Sequence, residues 1–106
     1  MEYIFVYMTT ADRAEAEKIG RVLVETRLAA CVNMLPGMRS LYWWQGKIET
    51  GEEVVLIAKT RRGLLDELTA KVRQLHSYEV PCVVALPISG GNPDFLDWLE
   101  KETRSS

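Results

Sequence analysis

The chain has 106 residues, 13 basic against 15 acidic, a formal charge of −2, and 47% hydrophobic content. That length is one domain, over residues 1–106, long enough to bury a core without disulfide or metal staples. The pI of 5.4 speaks against the strongly basic footprint of a nucleic-acid binder, and no apolar run approaches the roughly 20 residues needed to span a bilayer. Glu2 directly after Met1, and an apolar stretch that ends at Thr9-Thr10, are unlike a secretory leader. Cys31 and Cys82 sit far apart among apolar neighbours, which suits buried thiols in a reducing compartment. The expectation is a soluble, cytoplasmic chain with neither nucleic acid nor membrane as partner.

Tyr3–Met8 is a β-branched and aromatic run and reads as a buried strand. Asp12 then offers a helix cap, with Glu15 three residues on as in a capping box. Ala16, Ile19, Gly20 and Leu23 recur at helical spacing, and the helix should end near Arg27. A second strand is expected from Ala29 to Leu35. Pro36-Gly37 interrupts it, since proline cannot donate to a ladder and glycine permits a bulge, and it resumes from Met38 to Trp44. Gln45-Gly46 supplies a tight turn. The return strand runs from Lys47 to Lys59 with a kink at Gly51. A second helix carries Leu65, Leu68, Val72 and Leu75 on one face and stops before His76. Pro81–Ile88 is continuously apolar and reads as a central strand. Asn92 as cap and Pro93 at the first helical position open a last helix holding Phe95, Trp98 and Leu99.

The order β-α-β-β-α-β plus a terminal helix predicts an α+β fold, a ferredoxin-like sandwich with two helices on one face of an antiparallel sheet. Strands near 14 residues reach on the order of 45 Å, further than the helices cover. The hairpin therefore projects beyond its own core and carries Tyr42, Trp43 and Trp44 near its tip. An unpaired edge with an aromatic patch invites association, so the reading is a closed, symmetric oligomer. A hairpin bent back over its own core is the alternative.

Enzyme signals are weak. There is no glycine-rich phosphate loop, no C-x-x-C or H-E-x-x-H and no G-x-S-x-G, and His76 is the single histidine. His76 is open to two readings: a divalent-metal ligand with Glu79 as carboxylate partner, or a ring bonded to carbonyls at a helix end, which is the commoner role. Cys31, Cys82 and Met8 are soft ligands in principle, but inside apolar strands a packing role is commoner. Arg39, Lys59, Arg61 and Arg62 concentrate positive charge along the hairpin. With Tyr42 and Trp44 they could line an anion or nucleotide cleft between subunits; the plainer reading is pairing with Glu49, Glu52 and Glu53.

Taken together, Leu28-Ala29-Ala30-Cys31-Val32-Asn33, Pro36-Gly37, Ser40 to Ile48, Glu53, Lys59-Thr60, His76 to Pro81, Leu86-Pro87-Ile88 and Phe95 to Leu99 resemble the signature of CutA, the divalent-cation tolerance protein family. The resemblance runs from Val6 to about Leu99. It departs at Ser77, where that family usually has proline after the histidine, which loosens the turn. The resemblance implies a ferredoxin-like subunit in a homotrimer like the PII signalling proteins, joined by strand pairing between subunits. It also implies copper or another divalent cation as ligand, and no catalytic activity. The implied metal residues are His76, Glu79 and Met8; Leu75 stands at another ligand position and cannot coordinate. Candidates for a ligand cleft are Arg39, Tyr42, Trp44, Lys59 and Tyr78. The first functional expectation is thus a trimeric divalent-cation tolerance protein active in metal homeostasis. The alternatives are a PII-like sensor of a small anionic ligand and a structural or partner-docking trimer.

Overall fold

A computed structural model describes residues 2–105 of the chain. The elements are β1 (Tyr3–Thr10), α1 (Arg13–Glu25), β2 (Cys31–Trp44), β3 (Lys47–Arg61), a 3₁₀ turn (Arg62–Leu64), α2 (Leu65–Leu75), β4 (Val83–Pro87) and α3 (Pro93–Glu102). The sheet has four strands in the order β2-β3-β1-β4, every neighbouring pair antiparallel. This is the ferredoxin-like α+β arrangement expected from the order of elements.

One face of the sheet makes the core. Ile4, Val6, Met8 and Thr10 of β1 lie opposite Thr60, Ala58, Leu56 and Val54 of β3, and all are buried. Against them pack Ile19 and Leu23 of α1 and Leu68 and Val72 of α2, each pair four residues apart so that one helical stripe meets the sheet. A Cβ built on Gly20 would stand 2.9 Å from Val32 Cγ2, so glycine there lets α1 approach β2 closely. The buried hydroxyls are satisfied: Thr10 donates to the Val54 carbonyl at 2.9 Å and Thr60 to the Leu28 carbonyl at 2.7 Å. Helix α3 crosses the Arg61 end of the other face. It buries Leu99 and is tied there by Tyr3 Oη donating to Glu100 at 2.9 Å and Arg61 Nε to Thr103 at 2.9 Å.

The structure corrects three details. The first concerns Ala29 and Ala30, which precede β2. Leu28 and Ala29 donate their N–H groups back to the Leu23 carbonyl, completing the end of α1, where Arg27 adopts φ 59°. The second is the expected kink at Gly51. The β2–β3 ladder passes through the Ser40–Gly51 pair without a shift. The third is the last strand, which is short and lies at the sheet edge. Its inward residues Val83 and Ala85 pack on the core, while Val84 and Leu86 are exposed on the opposite side. Apolar residues on both sides made it look central.

The hairpin does project. Its outer part, residues 41–50, is exposed throughout, and the molecule extends 44 × 25 × 22 Å. Gln45 at φ 50° and Gly46 at φ 80° form the left-handed pair that a two-residue hairpin turn requires.

Candidate functional site

The register break at Pro36-Gly37 decides which side chains form a site. Before it, Leu35 lies opposite Val55; after it, Met38 lies opposite Glu53. Three steps along β2 therefore match two along β3. Because side chains alternate with period two, one extra residue exchanges the faces of everything beyond it. Met38, Ser40, Tyr42 and Trp44 thus join Glu53 on the face free of α1 and α2, and Leu41 and Trp43 take the opposite one.

On that free face lies a cleft of about 750 Å³. Met38, Tyr42 and Trp44 form its hairpin wall, Tyr7 and Glu53 its floor, and Tyr78, Glu79 and Cys82 its far side. Tyr7 Oη lies 3.3 Å from Met38 Sδ, tying β1 to the base of the wall. Glu53 is only 8% exposed, and Tyr78 Oη donates to its Oε2 at 2.8 Å. Burial, and then this bond to a carboxylate, push the Tyr78 hydroxyl well above the usual phenol range, so it stays protonated and donating.

Tyr78 is placed by His76. The imidazole is wholly buried. Its Nδ1 accepts the Tyr78 backbone N–H at 3.0 Å, and its Nε2 lies 2.8 Å from the Thr9 carbonyl. Nδ1 therefore carries no proton and Nε2 donates, which defines one neutral tautomer. The two rings stack obliquely, with centroids 4.5 Å apart. Glu15 secures the same loop: one of its oxygens accepts the Ala11 N–H at 2.9 Å and the other the Ser77 N–H at 2.8 Å, while Asp12 caps α1 by accepting from Glu15 N at 2.8 Å. Burial raises the Glu15 carboxyl, but the N–H groups of Ala11 and Ser77 outweigh it and hold the acid below its ordinary value of 4.5.

The residues singled out for metal do not come together within one chain. Met8 is sealed in the core, both His76 nitrogens are engaged, and Glu79 is exposed at the cleft. Among the described residues no group of three or more His, Cys, Asp or Glu side chains is placed to hold a metal ion. Of the cleft candidates, Arg39, Tyr42, Trp44 and Tyr78 line the cavity. Lys59 does not: its Nζ donates to Asn33 Oδ1 at 3.0 Å and lies 5.7 Å from the Phe95 ring centre, six residues up β3 from Glu53 and so roughly 20 Å away. Both cysteines are free and half-buried. Burial raises both thiols, with Glu53 adding to the effect at Cys82 and Lys59 opposing it at Cys31. Cys31 opens β2 and Cys82 directly precedes β4, the two opposite edges of the sheet. Glu53 was foreseen only as an ion-pair partner. The extra residue at Pro36-Gly37 was the signal that places it beneath the aromatics.

The fold and cleft define a class: ferredoxin-like chains with an outreaching hairpin and an aromatic, acid-floored groove beside it. Residues 4–102 match the family model described as CutA1 divalent ion tolerance protein, and the chain belongs to that family. It is 48% identical to Protein CutA 1, chloroplastic, of Oryza sativa subsp. japonica, over 97% of this chain and 58% of the rice protein. With the divalent-cation tolerance protein CutA of Archaeoglobus fulgidus it shares 44% identity over 92% of this chain and 94% of the archaeal one. The crystal structure of CutA1 from Oryza sativa superimposes with a TM-score of 0.97 at 46% identity, covering 100% of this chain and 97% of that one. The chain thus spans little more than half the length of the rice relative but nearly all of the archaeal one.

Proposed function

We propose that the chain serves divalent-cation tolerance by binding rather than by turnover, as a homotrimer. The observation that carries this reading is family membership across residues 4–102. Assembly is supported by what the isolated chain leaves uncovered. Leu41 and Trp43 are each 72% exposed on the hairpin, Leu35, Val84 and Leu86 stand open on the sheet, and β2 and β4 are unpaired edges. Three copies related by a closed rotation would cover these surfaces. The metal contact in this reading is Glu79, the one exposed residue of the three, joined by donors of neighbouring copies. His76 positions Tyr78, and Met8 packs. Copper or another divalent ion is the ligand class. Two free thiols favour a reducing, cytoplasmic setting.

The test is growth of cells lacking their own family member in graded copper and zinc, with and without this chain. Restored tolerance is the expected result, and unchanged sensitivity at equal expression would sink the proposal. Sedimentation should give three times the 12.1 kDa chain mass; a folded single chain at nanomolar concentration would remove the trimer.

A further inference from the structure

The end of the chain wraps around the Arg61 end of the sheet. Helix α3 stops at Glu102 and leaves Thr103 extended, at φ −104° and ψ 148°. Thr103 is buried; its Oγ1 accepts from Arg61 Nε at 2.9 Å and donates to the Leu99 carbonyl at 3.0 Å. Arg61, itself buried, also donates from Nη2 to the Arg104 carbonyl. The Arg104 N–H donates to the Arg27 carbonyl at 3.0 Å, and its guanidinium pairs with Glu67 of α2. Arg27 donates back from Nη1 to the Glu102 carbonyl at 3.2 Å and to its carboxylate at 2.9 Å. Residues 102–104 are therefore gripped at once by β3, by the turn after α1 and by α2.

The other end of α3 is joined differently. The Ile88 N–H donates to the Tyr3 carbonyl at 2.9 Å, and Ser89 to Asn92 then follow with neither helix nor strand. A Cβ added to Gly90 or Gly91 would meet nothing within 4 Å, so two adjacent residues without steric restraint join β4 to the helix. Within α3 the buried side chain is Leu99. A terminal helix with a glycine pair at one end and its charge-assisted bonds gathered at the other can open as a unit, at a free energy below that of global unfolding. We propose that residues 102–104 are a latch: with Arg61, Arg27 and Glu67 they hold α3 across the end of the sheet, and their release lets α3 swing about Gly90-Gly91 while the core stays folded. Opening parts the Phe95 ring from Lys59, whose Nζ lies 5.7 Å from its centre in the closed form. This goes beyond the divalent-ion reading and does not rest on it.

The test is hydrogen exchange read by mass spectrometry on the full chain in its assembled state, with peptides of β1 and β3 as the internal reference for those of α3. Ending the chain at Glu102 removes the bonds that Thr103 and Arg104 make to Arg61, Arg27 and Glu67, and should speed exchange of α3 about tenfold or more. Arg104→Ala should speed it about threefold. Sodium chloride at about 1 M should do the same, because the Arg27–Glu102 and Arg104–Glu67 pairs are half-exposed and screened by salt. In each case β1 and β3 should exchange as before. Equal acceleration of α3 and the core, or no acceleration of α3 in the shortened chain, overturns the proposal; the second result includes an α3 held in place by a neighbouring copy. Should the shortened chain fail to fold, Arg104→Ala and the salt series decide alone, and α3 exchange unchanged in both overturns it.

Discussion

The two faces of the sheet follow opposite rules. On the helix side, Ile4, Val6, Met8, Leu56 and Ala58 are fully buried, and every side chain answers to its neighbours' volume. On the other side, Tyr7, Tyr42 and Tyr78 keep partly open surface, and Leu35, Val84 and Leu86 meet no layer of this chain along most of its length. The first face stabilises the fold; the second leaves apolar side chains that no layer of this chain covers. Both arise from the same strands because β structure alternates, and β3 serves both, with Leu56 inward and Glu53 and Val55 outward.

The sharpest way to break this division is Leu56→Ala. Removing a fully buried leucine should cost about 2–5 kcal/mol, read as a lower denaturation midpoint, while leaving the sedimenting mass unchanged in the fraction still folded. Equal losses of stability and assembly would show that the faces are not independent.

Glu15→Gln should cost about 1–3 kcal/mol at pH 7, since the carboxylate accepts two backbone N–H groups at a mostly buried site. The sign with pH follows from the lowered folded-state value. The folded protein binds this proton less readily than the unfolded chain, so the stabilisation is complete above about 4.5 and is lost as pH falls through the folded value below it. Urea denaturation of both proteins at pH 7 and near pH 3 should therefore show a gap that closes in acid. A gap independent of pH would reassign the effect to packing.

Trp43→Ser on the outward side of the arm should leave secondary structure intact and lower the sedimenting mass, because a tryptophan 72% exposed in the lone chain contributes little to the chain's own core. The smallest expected effect is Arg27→Gly. Relief of a left-handed conformation at φ 59°, worth about 1 kcal/mol, is set against loss of the Arg27–Glu102 pair at 2.9 Å, a half-exposed contact of at most about 1 kcal/mol. A midpoint shift beyond that range would mean that this helix end does more than turn the chain.

Periodicity made most of the fold legible. Helices α1, α2 and α3 and the strand β1 follow from spacing and caps, and Pro93 with Asn92 marks the start of α3 in sequence and structure alike. What misled was two-sided apolarity. Pro81–Ile88 looked central because Val84 and Leu86 are apolar, yet the chain leaves them bare, and residues of that kind at an edge point to a cover from outside. At the site, Tyr42, Trp44, Tyr78 and Arg39 could be picked out one by one, whereas their union could not. It depends on a phase change at Pro36-Gly37 that is read only once the pairing of both strands is known. Lys59 shows the converse: it is close in sequence to the arm's base, on the same face, and too far along the strand.

Parity governs the arm. Dropping a single residue at 36–37 would leave composition and strand length almost untouched, yet it would turn the ribbon inside out, sending Leu41 and Trp43 over Glu53 and casting Tyr42 and Trp44 to the far side. Any lengthening of β2 alone between residues 36 and 44 then preserves the facing only by even steps, so that odd edits should erase the groove while leaving the core residues of β1, β3, α1 and α2 in place.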